Sequence, residues 1–259
     1  MKKTIALVLT LILTLTLFAG CGKKDLTDLE YVQKNGKLIV GITDYAPMDY
    51  KDENGDWTGF DAEFARLVAA ELGVEAEFFL IADWGQKFYE LETRNIDCVW
   101  NGMTITEEAL RNASVSDPYV INAQVVGMKA DAVASYTTAE SLKGLSFAVE
   151  SGSAGEAALV DAGITDYIAV QDQTGAVMEV AAGTAVACVI DITMANAMTG
   201  PGTNYDRLAA GLALTSEEYG IAFRKDSDLT AKVNEIMAKF MADGTLAALA
   251  EKYGLTLAK

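Results

Sequence analysis

Histidine is absent from this chain of 259 residues, and cations are scarce: 20 Lys and Arg stand against 37 Asp and Glu, a formal charge of −17. A nucleic-acid binder needs a basic face for the phosphates, so this charge balance excludes that class. The negative field instead suits a soluble, secreted protein and says nothing about the charge of a ligand. Cysteine is limited to Cys21, Cys98 and Cys188, with no Cys-x-x-Cys pair. Without histidine or paired thiols a zinc site is not expected, and neither a metal nor a cofactor is assigned. Cys98 and Cys188 each lie in a short apolar run and read as buried free thiols. Internal repeats and low-complexity segments are also missing.

What is present begins with a targeting segment. Lys2 and Lys3 precede an almost wholly apolar run from Ile5 to Phe18, followed by Ala19-Gly20-Cys21. An apolar run this short, ending in small residues, reads as a signal peptide rather than a membrane span. A cysteine directly after Ala-Gly is the cleavage position of bacterial lipoproteins, which carry lipid such as palmitate on that sulfur. The usual leucine three residues before it is Phe18 here, with Leu17 one further back. Residues 1–20 are therefore expected to be removed, Cys21 to be lipidated, and residues 21–35 to be a charged linker holding the protein outside the cytoplasm. Loss of Lys2 and Lys3 brings the charge to about −19 over roughly 239 residues, enough for two small lobes.

Beyond the linker, strands and helices alternate. Leu38 to Ile42 reads as a buried strand, Asp61 to Leu72 as a helix stopped by Gly73, Val74 to Ile81 as a strand, Trp84 to Thr93 as a helix and Ile96 to Trp100 as a strand. An extended run, Val120 to Ala130, leaves this unit. A second unit follows: strand Leu145 to Val149, a helix from about Glu156, strand Tyr167 to Val170, helix Gly175 to Ala182 and strand Ala187 to Ile190. Gly200 to Asn204 is a loop by composition, and Leu208 to Leu214 and Tyr219 to Phe223 are extended. Helices Asp228 to Ala242 and Thr245 to Tyr253 close the chain. This alternation predicts an α/β fold: two lobes, each a mostly parallel sheet flanked by helices, joined by two extended hinge crossings.

The segment from Ile96 to Tyr119 carries the most chemistry. A strand ends at Asn101, Gly102, Met103 and Thr104, and a helix starts at Thr106. Free N–H groups, an amide and hydroxyls thus meet the positive end of a helix, a setting for a small polar or anionic ligand.

The order of such motifs resembles one family. Gly36 to Ile42, Gly59-Phe60-Asp61, Ile96-Asp97, Gly102 to Thr106, Ser116 to Tyr119, Gly144 to Ser153, Asp191 after an apolar strand and Glu218 to Phe223 are similar to the polar-amino-acid-binding lipoproteins of bacterial ABC importers. These are extracellular solute-binding proteins of family 3 with the type II periplasmic binding fold. The resemblance implies lobe 1 from 36–124 plus 220–259, lobe 2 from 125–219, and hinges near 123–128 and 214–223. It implies a monomer that binds a small amino-acid-like ligand between the lobes and hands it to a permease and its ATPase.

Residue by residue, the resemblance places Tyr45 and Trp84 on either side of the ligand, with Trp84 exposed to it; core packing is the alternative for both. Asn101, Gly102 and Thr104 match positions that hydrogen-bond the ligand; Trp100 borders them, with core packing as its alternative. Ser151, Gly152, Ser153 and Ala154 match a loop whose N–H groups hold a carboxylate, chemistry that suits any helix N-terminus; the family often has Thr at Ala154. Asp191 matches the partner of the ligand ammonium, with a helix N-cap as its alternative role. One departure stands out. The family arginine that grips the α-carboxylate is Ala109 here, a contact of typically about 1.5–3 kcal/mol. Arg111 reaching the same space, the Ser153 loop acting alone, or a ligand without a free α-carboxylate each account for this.

Two rivals stand beside the importer reading. A sensor would report ligand to a separate membrane receptor. A dehydratase-like enzyme would use a carboxylate or tyrosine, since the chain has no histidine and no visible nucleophile–base pair. Catalysis is not expected.

Overall fold

The computed structural model describes residues 26–259. Cys21 and the expected signal peptide lie outside the described residues.

The expected linker ends earlier than residue 35. Helix α1 (Asp28–Asn35) is closed at its start by a reciprocal pair of bonds between Thr27 and Glu30, and at its end by Gly36 in the left-handed conformation. Val32 is fully buried in the first core. Asp28 accepts from Arg224 Nε at 2.9 Å and lies 3.0 Å from Arg94, and Arg224 also reaches Asp97 at 2.9 Å. The charge of the segment suggests a solvated tether, but Asp28 is a buried partner in an ion network.

Strand β1 (Lys37–Ile42) lies between β4 (Glu75–Leu80) and β5 (Cys98–Val99), parallel to both. The chain reaches β4 through a small hairpin, β2 (Tyr50–Lys51) and β3 (Trp57–Thr58), and helix α2 (Phe60–Leu72). Gly59 opens α2 at φ 115°, and a Cβ there would lie 2.2 Å from the Met48 carbonyl oxygen, so only glycine fits. After β4, a 3-10 turn (Trp84–Gln86) leads into α3 (Lys87–Glu92). Helix α4 (Glu107–Asn112), capped by the Thr106 hydroxyl, is followed by β6 (Ser114–Val115) at the sheet edge. The final strand, β14 (Ala222–Phe223), returns from the far end of the sequence and pairs antiparallel with β5 and β6. Phe60, Phe64, Trp100 and Tyr119 fill the core beneath this sheet. Helices α8 (Asp228–Ala242) and α9 (Thr245–Tyr253) pack against it through Leu229, Val233, Ile236 and Leu246.

The second sheet repeats the plan. Strand β9 (Phe147–Glu150) is parallel to β10 (Tyr167–Val170) and β11 (Ala187–Asp191); β8 (Gln124–Lys129) is antiparallel to β11 and to β12 (Leu208–Ala213). Helices α5 (Ala154–Asp161), α6 (Gln173–Ala182) and α7 (Ile192–Met198) complete this unit. Each sheet thus has a parallel three-stranded core, with antiparallel pairing where the crossing chain enters. The two crossings pair with each other: β7 (Val120–Asn122) runs antiparallel to β13 (Glu217–Tyr219). Cys98 and Cys188 are free and buried, one in each sheet.

Candidate functional site

Four parallel strands end on one cleft of about 560 Å³ between the two sheets. Strand β1 delivers Thr43 and Tyr45, β5 delivers Asn101 and Gly102, β9 delivers Glu150 and β11 delivers Asp191. Crevices at the carboxyl ends of parallel strands are where open α/β sheets bind ligands, since loops and helix N-termini converge there.

On the first-sheet side the backbone is tightly held. The Asn101 side chain accepts from Thr43 N–H at 2.8 Å and donates to the Thr43 hydroxyl at 2.7 Å, tying two strand ends together. Gly102 N–H donates to the buried Asp61 carboxylate at 2.6 Å, which also accepts from Tyr119 at 2.8 Å. Burial pushes the Asp61 pKa up to about 7. The Thr104 hydroxyl donates to Glu217 at 2.8 Å. Tyr45 is buried but lines the cleft, its hydroxyl 2.6 Å from that of Thr193 and 2.5 Å from that of Tyr219. Trp84 also lines the cleft, yet only 8% of it is exposed because Ile81, Leu91 and Met103 pack around it. The open, ligand-facing tryptophan expected from its polar neighbours is therefore a cleft wall rooted in the core. Trp100 is wholly core.

The second-sheet side holds the acids. Asp191 is 3% exposed, and its side chain makes no bond to the start of α7, which removes the helix-cap alternative. It accepts instead from Gln124 at 2.7 Å and from the amides of Asn122 and Gln173. Burial first, and Glu217 second, raise its pKa to about 6. Glu217 accepts from Asn122 and Gln124 at 2.7 Å each. Glu150 is 5% exposed at the cleft, and burial followed by the nearby Asp191 and Asp172 charges lifts its pKa to about 8.

The loop before α5 differs from the expectation in detail. Ser151 is exposed, does not line the cleft, and spends its N–H on the Val170 carbonyl. Gly152 N–H donates to Glu156 at 2.7 Å, and the Ser153 hydroxyl accepts from Glu156 N–H at 3.1 Å. Gly152, Ser153 and Ala154 line the cleft.

Contacts across the cleft show that the two halves are shut on each other. Lys87 Nζ donates to the Gly152 carbonyl at 3.2 Å, and the Gln171 amide donates to the Ala82 carbonyl at 3.0 Å. Gly152, at φ +71°, lies so close to Gly85 that a Cβ would be 2.9 Å from its Cα. Ala109 is buried on the cleft wall beside Trp84; Arg111 and Glu107 also line the cleft, at its exposed rim, and pair with each other at 3.4 Å.

Sequence reasoning missed Lys87, Gln124, Glu150, Gln173 and Glu217 at this cleft. Glu150 had a signal, being the acid that ends an apolar strand, like Asp191. Gln124 and Glu217 had only their place in the crossings. No group of three or more potential metal ligands is arranged for an ion among the described residues.

Residues 38–256 match the family model described as bacterial extracellular solute-binding proteins, family 3. The L-cystine-binding protein TcyJ of Escherichia coli is 31% identical over 248 residues, covering 93% of this chain and 92% of that protein. The arginine-binding extracellular protein ArtP of Bacillus subtilis is 30% identical over 260 residues, covering 98% of each. A mutant of ArgBP from T. maritima superposes with a TM-score of 0.80 at 31% identity, over 87% of this chain and 98% of that one.

Proposed function

This chain belongs to the bacterial extracellular solute-binding proteins, family 3, and on that premise we propose that it captures a small amino-acid-like solute for an ABC importer. The observation that carries this reading is Asp191. A carboxylate 3% exposed on a cleft wall, oriented by three side-chain amides, is prepared for an ammonium group. The relatives named for cystine and arginine bind solutes bearing such a group.

In this reading Asp191 pairs with the ligand ammonium, Tyr45 and Trp84 wall its side chain, and Asn101, Gly102 and Thr104 shape the first-sheet face. The Gly152–Ser153 loop and the start of α5 face its carboxylate. Residues 36–124 with 220–259 form one lobe and 125–219 the other, bending near 123–128 and 214–223. Each lobe contributes part of the site, so ligand favours the closed form. Signal peptide 1–20 is removed and lipid on Cys21 anchors a monomer at the outer face of the plasma membrane or in the periplasm. A permease with its ATPase receives the solute, and binding involves no turnover.

A thermal-shift screen of residues 22–259 against the standard amino acids, L-cystine, simple amines and short peptides tests this. Ligand at 100 times its Kd adds about 2.7 kcal/mol to the native state, so a binder raises the Tm by several degrees. A chain that no such solute stabilises is not a binding protein of this class.

A further inference from the structure

Lys87 stands at the first position of α3, is 6% exposed, and lines the cleft. Its Nζ donates to the Trp84 carbonyl at 3.3 Å and to the Gly152 carbonyl at 3.2 Å, and lies 4.9 Å from the Trp84 ring centroid. An ammonium has three donors, and these two carbonyls take two. No carboxylate lies within 4.0 Å of it among the described residues, although Glu108, Glu150 and Asp83 act on it from further away. A buried charge without a counter-ion is costly, and here it faces the space a ligand would fill.

The opposite wall is prepared for the same kind of group. Gly152 N–H is taken by Glu156, and the Ser153 hydroxyl by Glu156 N–H. The next two amides, Ala154 and Gly155, have no backbone acceptor among the described residues, and the side-chain acceptors of this loop are taken by Gly152 and Glu156. They open the eight-residue helix α5, whose N-terminal end carries positive potential. The carbonyl that Lys87 holds belongs to Gly152, so the ammonium and Ala154, which lines the cleft, adjoin one edge of it, with Gly155 buried behind. Arg111, largely exposed at the rim of the cleft, is paired with Glu107, and Ala109 offers no charge. The other edge carries Asp191 and Glu150.

We infer that Lys87 supplies the cation that holds the solute's carboxylate, together with the free amide of Ala154 at the start of α5. The cleft therefore selects an α-amino acid with a free carboxylate rather than the corresponding amine. This rests on the proposed binding function and specifies its ligand class. It also resolves the missing arginine: the cation enters from α3 and not from α4. Closure and ligand capture are coupled, since the Lys87 contact to Gly152 spans the cleft.

The test is calorimetric titration of the wild-type protein and of Lys87→Met with the standard amino acids and L-cystine. The amino acid that binds is then compared with its decarboxylated amine, for example agmatine for L-arginine or cystamine for L-cystine. The wild type is expected to prefer the acid by ~10-fold or more. Lys87→Met is expected to lose ~10- to 100-fold for the acid and little for the amine, so that the preference collapses. Thermal unfolding without ligand reports whether the variant is folded. A wild type that binds amine and acid equally overturns the inference by itself, whatever the variant does. A preference kept in folded Lys87→Met overturns it too, and in both cases the binding function stands. If no amino acid or amine binds the wild type, the binding function fails and this inference with it.

Discussion

Asp191 and Glu217 accept hydrogen bonds from the same two side chains, the amides of Asn122 and Gln124. Asn122 and Gln124 flank the first crossing between the sheets and Glu217 begins the strand of the second, so the proposed ammonium partner is wired to both connections. The arrangement keeps a carboxylate ionisable in a place where burial opposes its charge.

The pH dependence of binding follows. Asp191 has its pKa raised to about 6, first by burial and then by Glu217. The ligand ammonium requires the ionised form, so affinity is full well above pH 6 and falls as pH drops through it. Calorimetry at pH 5 and pH 7.5 should show about tenfold weaker binding at the lower value.

Glu150 gives the opposite trend for stability. Its pKa rises from an ordinary 4.5 to about 8, so between these values the native state keeps a proton that the unfolded chain has released. This contribution is fully present below pH 4.5 and is lost as pH rises towards 8. Glu150→Gln removes it, and its unfolding midpoint in denaturant should fall less between pH 5 and pH 8 than that of the wild type.

Gly152 reports on closure. A Cβ there would lie 2.9 Å from Gly85 Cα across the cleft, at a backbone φ of +71° that side chains resist. Gly152→Ala should therefore weaken ligand binding by ~10-fold or more, because the penalty falls on the closed form. Thermal stability without ligand should change by only about 1 kcal/mol, the cost of left-handed backbone at one residue.

Arg224 is the keystone of the first sheet's ion network, bonded to Asp28 and Asp97 and to the carbonyl of Ile96 at 2.7 Å. Arg224→Ala leaves the buried Asp97 without its cation and Asp28 with Arg94 alone. Chemical denaturation should show a loss of about 3–5 kcal/mol. It should also release α1, detectable as faster amide exchange over residues 28–35.

How far these features could be read in advance depended on where each signal lies. The closing helices, Asp228–Ala242 and Thr245–Tyr253, have the predicted bounds because amphipathic periodicity and caps are local. Strand Cys98–Val99 is shorter than its apolar run, since apolarity there records burial of Ile96 and Trp100 rather than ladder pairing. Asp191 was visible as an acid ending an apolar strand. Lys87 was not, because a lysine at the start of a short helix looks solvated until Trp84, Phe88 and Gly152 are seen around it. The donors at Gly102 and Gly152 were visible as donors but not as occupied ones. Their partners, Asp61 and Glu156, satisfy them by tertiary contact in one case and through the first turn of α5 in the other. The helix Asp28–Asn35 carries local signals in Thr27, Glu30 and Gly36, but the burial of Asp28 was hidden because its ion partner Arg224 is 196 residues away.

The pairing of Asp191 with the ligand ammonium is tested by calorimetric titration of the wild type beside Asp191→Ala, using the solute found in the thermal screen. A solute bound between the sheets through its ammonium group gives one site per chain in the wild type and a loss of ~100-fold or more in the variant. Undiminished binding by a folded Asp191→Ala would place the ligand elsewhere and contradict the account.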